Sequence, residues 1–101
     1  MLGEIKIVGG KFKGKKIPVF EAIGLRPTSS RVRETLFNWL MHNIRDSACL
    51  DLFAGSGALG LEALSRYASA VTFIEKNSAC FKQLKKSRNL VKPEYVSNIF
   101  Y

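Results

Sequence analysis

The sequence predicts an α/β fold in which an N-terminal β-hairpin precedes a parallel sheet. Two observations support this prediction. From residue 28 onward the hydrophobic pattern indicates, in order, a helix, a strand, a glycine-rich loop, a helix, a strand and a helix, and this alternation is typical of parallel sheets. Before it, two short segments alternate polar and apolar residues on either side of Gly9 and Gly10, a pair that favours a turn.

The composition excludes several classes of protein. A length of 101 residues allows one small domain, and 47% hydrophobic with 24% charged residues is the balance of a soluble chain. There is no run of about 18 apolar residues and no secretory leader at the start, so we expect a cytoplasmic protein. One histidine and two distant cysteines argue against a structural zinc site and a disulfide framework: His42, Cys49 and Cys80.

The positive charge is concentrated at the two ends of the chain. The formal net charge is +8, and it divides into +6 for residues 1–33, −3 for residues 34–75 and +5 for residues 76–101. A centre of opposite sign between basic flanks indicates a central site and a polyanionic partner held by the flanks. Nucleic acid is the first candidate for that partner, although a solvated lysine surface would have the same composition.

The hairpin is predicted over residues 4–19. Lys11, Lys13 and Lys15 recur at every second position, so we expect them to share one face of its second strand, with Phe12 on the other face. A hairpin of this size is marginally stable by itself and must pack against the rest of the chain or a ligand.

The first long helix is predicted over residues 28–44. A hydroxyl from Thr28, Ser29 or Ser30 is expected to cap it. The helical spacing indicates an apolar stripe that faces the core, with Trp39 and Phe37 as core residues rather than base-stacking platforms. This stripe comprises Val32, Leu36, Phe37, Trp39, Leu40, Met41 and Ile44.

Two strands and two further helices follow. Residues 48–53 and 70–75 have the short apolar pattern of buried strands, and a helix is predicted between them. Asn77 or Ser78 is expected to cap the next helix, which Pro93 ends. Cys80 lies near the start of that helix, a position that favours a thiolate, but nothing in the sequence pattern pairs with it. Residues 94–101 fit either a third strand or a frayed end.

The residues that carry chemistry lie where the two predicted strands end. Gly55 and Gly57 occupy a strand-to-helix turn, where the missing side chains let a ligand approach the backbone. Glu75 follows Gly55 by twenty residues and ends the adjacent strand, where a carboxylate can accept hydrogen bonds from two ribose hydroxyls. Asp51 adds a second carboxylate at the same edge. The pattern predicts a nucleoside-binding crevice.

Two kinds of cofactor fit this crevice. Gly55, Gly57 and Gly60 match the dinucleotide fingerprint, and Glu75 stands where its ribose-binding acid would be. Asp51, however, would place a negative charge close to a pyrophosphate, whereas it would attract the sulfonium and ammonium groups of S-adenosylmethionine. The sign of the charge favours the methyl donor, and a dinucleotide-binding protein stays open as the third alternative.

Three segments of the sequence resemble a known family. RPTSSRVRETLFNWL at 26–40, DLFAGSGALGLEALSRYA at 51–68 and the hairpin IVGGKFKGKKI at 7–17 are similar to the bacterial methyltransferases of small-subunit ribosomal RNA that modify guanine N2. The resemblance covers roughly residues 5–90. It implies a basic β-hairpin over residues 1–20, followed over residues 21–101 by the first half of a Rossmann-like S-adenosylmethionine-dependent methyltransferase fold.

The same resemblance implies roles for individual residues. Glu75 would bind the ribose of S-adenosylmethionine, and the residues of the donor loop would be Asp51, Phe53, Gly55 and Gly57. Arg26 and Thr28 would line the same cleft. The residues that would contact ribosomal RNA are Lys11, Lys13, Lys15, Lys16 and Arg31.

The sequence departs from the family at its C-terminal end. The family has an Asp/Asn-Pro-Pro-aromatic motif that orients the target amine, and the three prolines here, Pro18, Pro27 and Pro93, include no adjacent pair. We therefore expect a fold that is incomplete and prone to associate, a tail beyond about Pro93 that departs from the family, and no methyl transfer by this chain alone. The alternative function is a non-catalytic basic module that binds RNA through the hairpin.

Overall fold

The computed structural model describes residues 2–20, 29–51, 57–90 and 96–100. The elements alternate in the predicted order, and the chain forms an α/β fold. They are β1 (Leu2–Lys6), β2 (Lys16–Phe20), α1 (Ser30–Trp39), α2 (Met41–Ile44), β3 (Ala48–Asp51), α3 (Ala58–Ser65), β4 (Ala70–Ile74), α4 (Ser78–Leu90) and β5 (Val96–Phe100).

The central sheet of the described residues has the order β3-β4-β5, and all its strands are parallel. The register pairs Ala48 with Ala70 and Asp51 with Phe73, and β5 continues it by pairing Ala70 with Val96. Residues 96–100 thus form the third strand, one of the two predicted alternatives. Because parallel strands need crossover connections, α3 and α4 link successive strands of this sheet.

The predicted hairpin is confirmed, but its connection differs from the prediction. β1 and β2 pair antiparallel from Leu2–Phe20 to Lys6–Lys16, and residues 7–15 form a nine-residue loop rather than a tight turn with a long second strand. The prediction that one strand face carries Lys11, Lys13 and Lys15 is therefore wrong, because all three lie in this loop. Glycine backbone in the left-handed region, with φ of +80° at Gly10 and +87° at Gly14, turns the loop where strand pairing was expected.

The hairpin packs into the core of the domain. Ile5, Ile7 and Ile17 are at most 8% exposed and join the same buried cluster as Leu61 and Leu64 of α3. The hydroxyl of Ser87 on α4 also donates a hydrogen bond to the carbonyl oxygen of Pro18, with 3.5 Å between the oxygens. These contacts supply the support that a two-stranded hairpin lacks alone.

Helix α1 is capped as predicted, and Phe37 is buried as predicted, but part of the predicted apolar stripe is exposed. The hydroxyl of Ser29 accepts a hydrogen bond from Val32 N at 3.2 Å. Arg33 and Phe37 are buried, whereas Val32 is 54% and Trp39 76% exposed, so the prediction of Trp39 as a core residue is wrong. The Arg33 guanidinium points inward instead, where it donates hydrogen bonds to Lys6 O (2.9 Å) and Glu62 Oε1 (3.1 Å).

Candidate functional site

Two carboxylates lie at the carboxyl edge of the parallel sheet, as the sequence predicts. Asp51 is the last residue of β3 and is half-buried, and Glu75, which is 8% exposed, directly follows β4. Since Asp51 pairs with Phe73 in the register, Glu75 lies two residues beyond the level of Asp51 on the neighbouring strand. Ligands of open α/β sheets bind at this edge.

Helix α3 begins at the same edge, directly after Gly57. This glycine has φ of +84°, a left-handed backbone that strongly favours glycine. A Cβ atom there would also overlap Cδ1 of Leu84 on α4. The position therefore requires glycine for two independent reasons, the left-handed backbone and the side chain of Leu84 that packs against it.

Gly60, the last glycine of the predicted fingerprint, has a packing role. A Cβ atom at this position would overlap the ring of Phe73 on β4. The glycine thus lets α3 lie close against the sheet. Its presence in the sequence pattern does not discriminate between a dinucleotide and a methyl donor.

Glu75 is held by the turn that leads into α4. Its Oε2 accepts a hydrogen bond from Asn77 N at 2.8 Å, and Asn77 Oδ1 accepts one from Cys80 N at 3.0 Å, which makes Asn77 the predicted cap. Burial raises the pKa of the Cys80 thiol, and the nearby Glu75 carboxylate raises it further. Burial and this negative charge therefore act against the thiolate that a helix N-terminus favours.

A mostly apolar cleft of about 160 Å³ opens beside Asp51. Four leucine and phenylalanine side chains line it: Phe37 of α1, Leu40 between α1 and α2, Leu50 of β3 and Leu59 of α3. Leu50 lies on β3, the edge strand of the described sheet, and is 60% exposed. Apolar walls lower the local dielectric constant, and this strengthens the attraction of Asp51 for a cation.

The structure locates the remaining predicted site residues as follows. Arg26, Thr28, Phe53 and Gly55 lie outside the described residues. Arg31 is exposed on the first turn of α1. The predicted RNA-binding lysines of the hairpin lie away from the carboxyl edge, on the loop that packs against α3 and on β2: Lys11, half-buried, and Lys13, Lys15 and Lys16, exposed.

Sequence reasoning missed the residue that holds this loop. Glu62 on α3 is fully buried, and its carboxylate accepts hydrogen bonds from Val8 N (3.0 Å) and Gly9 N (2.9 Å). Arg33 and Arg66 form ion pairs with the same carboxylate, at 3.1 and 2.9 Å. One signal was available: an acid in the middle of an otherwise apolar helix is buried only when it is paired.

Among residues 2–20, 29–51, 57–90 and 96–100, no group of three or more histidine, cysteine or acidic side chains could hold a metal ion. In the same part of the chain, no helix combines the length and the apolar character that a membrane span requires.

The chain matches a known family over nearly its whole length. The profile of the family described as "Conserved hypothetical protein 95" matches residues 5–99. The match continues through most of β5, so the expectation that the resemblance stops near residue 90 is wrong.

Several proteins are similar to this chain. "Ribosomal RNA small subunit methyltransferase D" of Escherichia coli (strain K12) is 61% identical over 85 residues, which are 84% of this chain and 43% of that protein. The protein of the same name from Haemophilus influenzae is 56% identical over 90 residues, or 89% of this chain and 47% of that protein. The chain spans about half the length of the curated relatives it matches.

Solved structures show the same fold. "Putative methyltransferase yhhF from Escherichia coli" superposes with a TM-score of 0.87 at 50% identity, over 97% of this chain and 52% of that one. The predicted resemblance to the small-subunit ribosomal RNA methyltransferases, and the incomplete Rossmann-like α/β fold that it implies, are confirmed.

Proposed function

Because the chain belongs to the conserved hypothetical protein 95 family, we propose that it supplies the donor-binding part of an S-adenosylmethionine-dependent methyltransferase of small-subunit ribosomal RNA. The observation that carries this proposal is the pair of carboxylates, Asp51 and Glu75, at one edge of the parallel sheet beside Gly57. The printed names of the relatives support ribosomal RNA as the substrate. The motifs at 26–40 and 51–68 support guanine N2 as the methylated atom.

The described residues fit the methyl donor in charge and in their position at the carboxyl edge. Glu75 is buried at the end of β4, where its carboxylate can accept hydrogen bonds from the ribose hydroxyls. Asp51 supplies negative charge beside an apolar cleft and favours a ligand that carries sulfonium and ammonium groups. Gly57 allows the left-handed turn that starts α3 at this edge. A pyrophosphate would be repelled by Asp51, so this edge suits the methyl donor better than a dinucleotide.

The remaining roles extend this proposal to the whole site. When bound, S-adenosylmethionine supplies an electrophilic methyl group. Phe53 and Gly55 would complete the donor loop, and Arg26 and Thr28 would line its cleft. The exposed lysines of the hairpin and Arg31 would contact RNA phosphates, which would place the reaction in the cytoplasm, where ribosomes are made.

Calorimetric titration of the 101-residue chain with S-adenosylmethionine tests the donor site. We expect the wild-type chain to bind and Glu75→Gln to bind at least about tenfold more weakly, because a hydrogen bond to a charged group contributes about 1.5–3 kcal/mol. Glutamine keeps the side-chain volume and an oxygen that can accept from Asn77 N.

Glu4→Gln is the matched control. Glu4 is exposed on β1 and its carboxylate lies 3.9 Å from Lys16 Nζ, so the same chemical change is made far from the carboxyl edge. We expect its affinity for S-adenosylmethionine to equal that of the wild type. Equal affinity of Glu75→Gln and Glu4→Gln, or binding of reduced nicotinamide dinucleotide in preference to S-adenosylmethionine, would contradict the proposed function.

A further inference from the structure

A second group of cationic and aromatic side chains lies at the amino edge of the sheet, opposite the two acids. Tyr67 and Arg45 each stand three residues before a strand of the parallel sheet, β4 and β3 respectively. Lys11 reaches the same place from the hairpin loop, because Lys11 N donates a hydrogen bond to Ser65 O at 2.9 Å. Asp46 N also donates to Tyr67 O at 2.8 Å, which joins the two turns. We call Lys11, Arg45 and Tyr67 the amino-edge surface.

The ring of Tyr67 brings two positive charges together. Lys11 Nζ lies 5.0 Å and Arg45 Cζ 4.7 Å from the centroid of this ring. The two charges are therefore less than about 10 Å apart, although they come from distant parts of the sequence. Arg45 is exposed, and within the described ranges it forms no ion pair.

Tyr67 occupies a position where a helix usually places glycine. It is the second residue after α3, and its φ of +73° lies in the left-handed region. Side chains other than glycine, asparagine and aspartate adopt this backbone at a cost in free energy, and such positions cluster at functional sites. The side chain placed there is a large ring, and the residue is 41% exposed.

A cleft of about 170 Å³ opens between this ring and α2. Phe37 and Ile44 form an apolar floor, and Arg45 and Arg66 line the cleft with positive charge. An apolar recess with an exposed aromatic ring and cations beside it suits the bases and phosphates of an unpaired nucleic-acid strand. An acidic protein segment would use the cations but not the ring and the recess.

The two edges of the sheet are separated by the length of α3. Its eight residues span about 12 Å, with Gly57 before one end and Tyr67 beyond the other. A single nucleoside bound beside Glu75 is too short to reach the amino edge as well. A ligand that contacts both edges must be an extended or folded chain.

We propose that the amino-edge surface is a second RNA contact of this protein, remote from the nucleotide that would be methylated. Lys11 and Arg45 bind phosphates, and Tyr67 contacts a base or ribose of the same unpaired segment. The inference rests on the proposed function in one respect: it takes the polyanion to be RNA. It adds that recognition involves a structured RNA long enough to reach from one edge of the sheet to the other.

Fluorescence anisotropy with labelled, protein-free small-subunit ribosomal RNA tests the surface. We compare the wild-type chain with the double variant Lys11→Gln, Arg45→Gln over a range of salt concentrations. Each phosphate contact contributes about 0.7–0.9 to the slope of log affinity against log salt, so the double variant should lose about 1.5 in slope and about tenfold or more in affinity at low salt. Tyr67→Asn, which tolerates the left-handed backbone, should weaken binding about fivefold or more.

The control removes the same net charge from another surface. Lys82 and Lys86 are exposed on α4, and Lys82→Gln, Lys86→Gln should keep a slope closer to that of the wild type. Equal slopes for the two double variants would overturn the proposal, since binding would then follow total charge. Failure of the wild-type chain to bind the RNA would overturn it as well.

A parallel titration with S-adenosylmethionine separates this proposal from the proposed function. The amino-edge double variant should bind the donor as the wild type does, because neither substitution lies at the carboxyl edge. If the wild-type chain shows the expected RNA slopes but binds no donor, the proposed function falls and the RNA contact stands. If the donor binds while RNA affinity is the same in the wild type and the double variant, the RNA contact falls and the proposed function stands.

Discussion

The junction between the hairpin loop and α3 differs from the carboxyl edge of the sheet in how each holds a buried glutamate. At the junction, Glu62 is fully enclosed and pairs with Arg33 and Arg66, while its oxygens also accept hydrogen bonds from the loop backbone. At the carboxyl edge, Glu75 neighbours an amide and the Cys80 thiol at the end of a strand. Both acids are buried, but only Glu75 lies where ligands of such sheets bind.

This difference shows that burial alone does not identify a functional acid. Glu62 lies between two arginines and two amides, so it links the hairpin to the domain and is inaccessible to a ligand. Glu75 lies at the edge where two strands end together. The identity of the partners and the place in the fold therefore separate a structural carboxylate from a candidate binding group, and substitutions at each region test the separation.

The largest effect is expected for Glu62→Ala. Removing one partner of a buried ion pair leaves Arg33 with its charge enclosed, and such changes cost about 3–5 kcal/mol. That loss is a large part of the stability of a small domain. Urea unfolding followed by circular dichroism measures it. Glu34→Ala, at an exposed position on α1, is the control and should change the free energy of unfolding by less than about 0.5 kcal/mol.

A double variant sharpens this prediction. In Arg33→Met, Glu62→Leu both buried charges are replaced by apolar side chains of similar volume, which is often neutral or stabilising. The double variant should therefore be more stable than Glu62→Ala alone. A cost below about 1 kcal/mol for Glu62→Ala would show that the junction does not depend on this carboxylate, and the contrast with Glu75 would fail.

A smaller effect is expected at the start of α3, where two glycines with nearly the same backbone allow a matched test. Gly57 and Gly14 have φ of +84° and +87°, but an added Cβ would overlap Leu84 at Gly57 and meet nothing within 4 Å at Gly14. Gly14→Ala should cost about 1–2 kcal/mol from backbone strain alone. Gly57→Ala should cost about 1–3 kcal/mol more, because the side chain of Leu84 must move.

Thermal or urea unfolding of the two variants gives this difference directly. Calorimetry with S-adenosylmethionine then adds a functional readout, since only Gly57 lies at the candidate site. We expect weaker donor binding for Gly57→Ala and unchanged binding for Gly14→Ala. Equal costs at the two glycines would mean that Leu84 does not restrict the start of α3.

Local chemistry made much of the fold predictable from the sequence. Helical spacing and a hydroxyl cap predict α1, which begins after Ser29, and short apolar runs predict β3 and β4. The prediction that β3 is buried is wrong, because it is the edge strand of the described sheet and its residues are exposed or half-buried. The order of these elements predicts parallel strands, and parallel strands bring Asp51 and Glu75 to one edge. These inferences succeed because each depends on neighbours in sequence or on a general rule of topology.

The predictions that failed depend on contacts between distant residues. Phe37 and Ile44 of the predicted stripe are buried, but Trp39 is exposed, and Arg33 instead turns inward to meet Glu62, 29 residues away. The loop of residues 7–15 shows the alternation of a strand, but its backbone is fixed by Glu62 and Ser65, more than 50 residues away. The amino-edge surface was missed for the same reason, since the sequence separates Lys11, Arg45 and Tyr67 by more than 20 residues each.

The smallest effect is expected for the ionisation of Cys80. Burial raises the pKa of its thiol above the ordinary value of 9.0, and the Glu75 carboxylate raises it further. The thiol of the unfolded chain ionises at lower pH than the folded one, so the stability contributed by neutral Cys80 is complete below pH 9 and declines as the pH rises toward the folded pKa. Glu75→Gln should lower the folded pKa without restoring the ordinary value, because burial is the larger cause.

Ultraviolet absorbance of the thiolate measures this pKa, with the spectrum of Cys80→Ser at each pH subtracted to isolate Cys80. The Glu4→Gln chain is the control, since its missing charge is far from the thiol, and it should titrate as the wild type does. A wild-type pKa below that of the unfolded chain would mean that the start of α4 stabilises the thiolate after all. An unchanged pKa of Cys80 in Glu75→Gln would mean that the Glu75 carboxylate points away from the thiol. The contacts of Glu75 at the carboxyl edge would then differ from those in the structure.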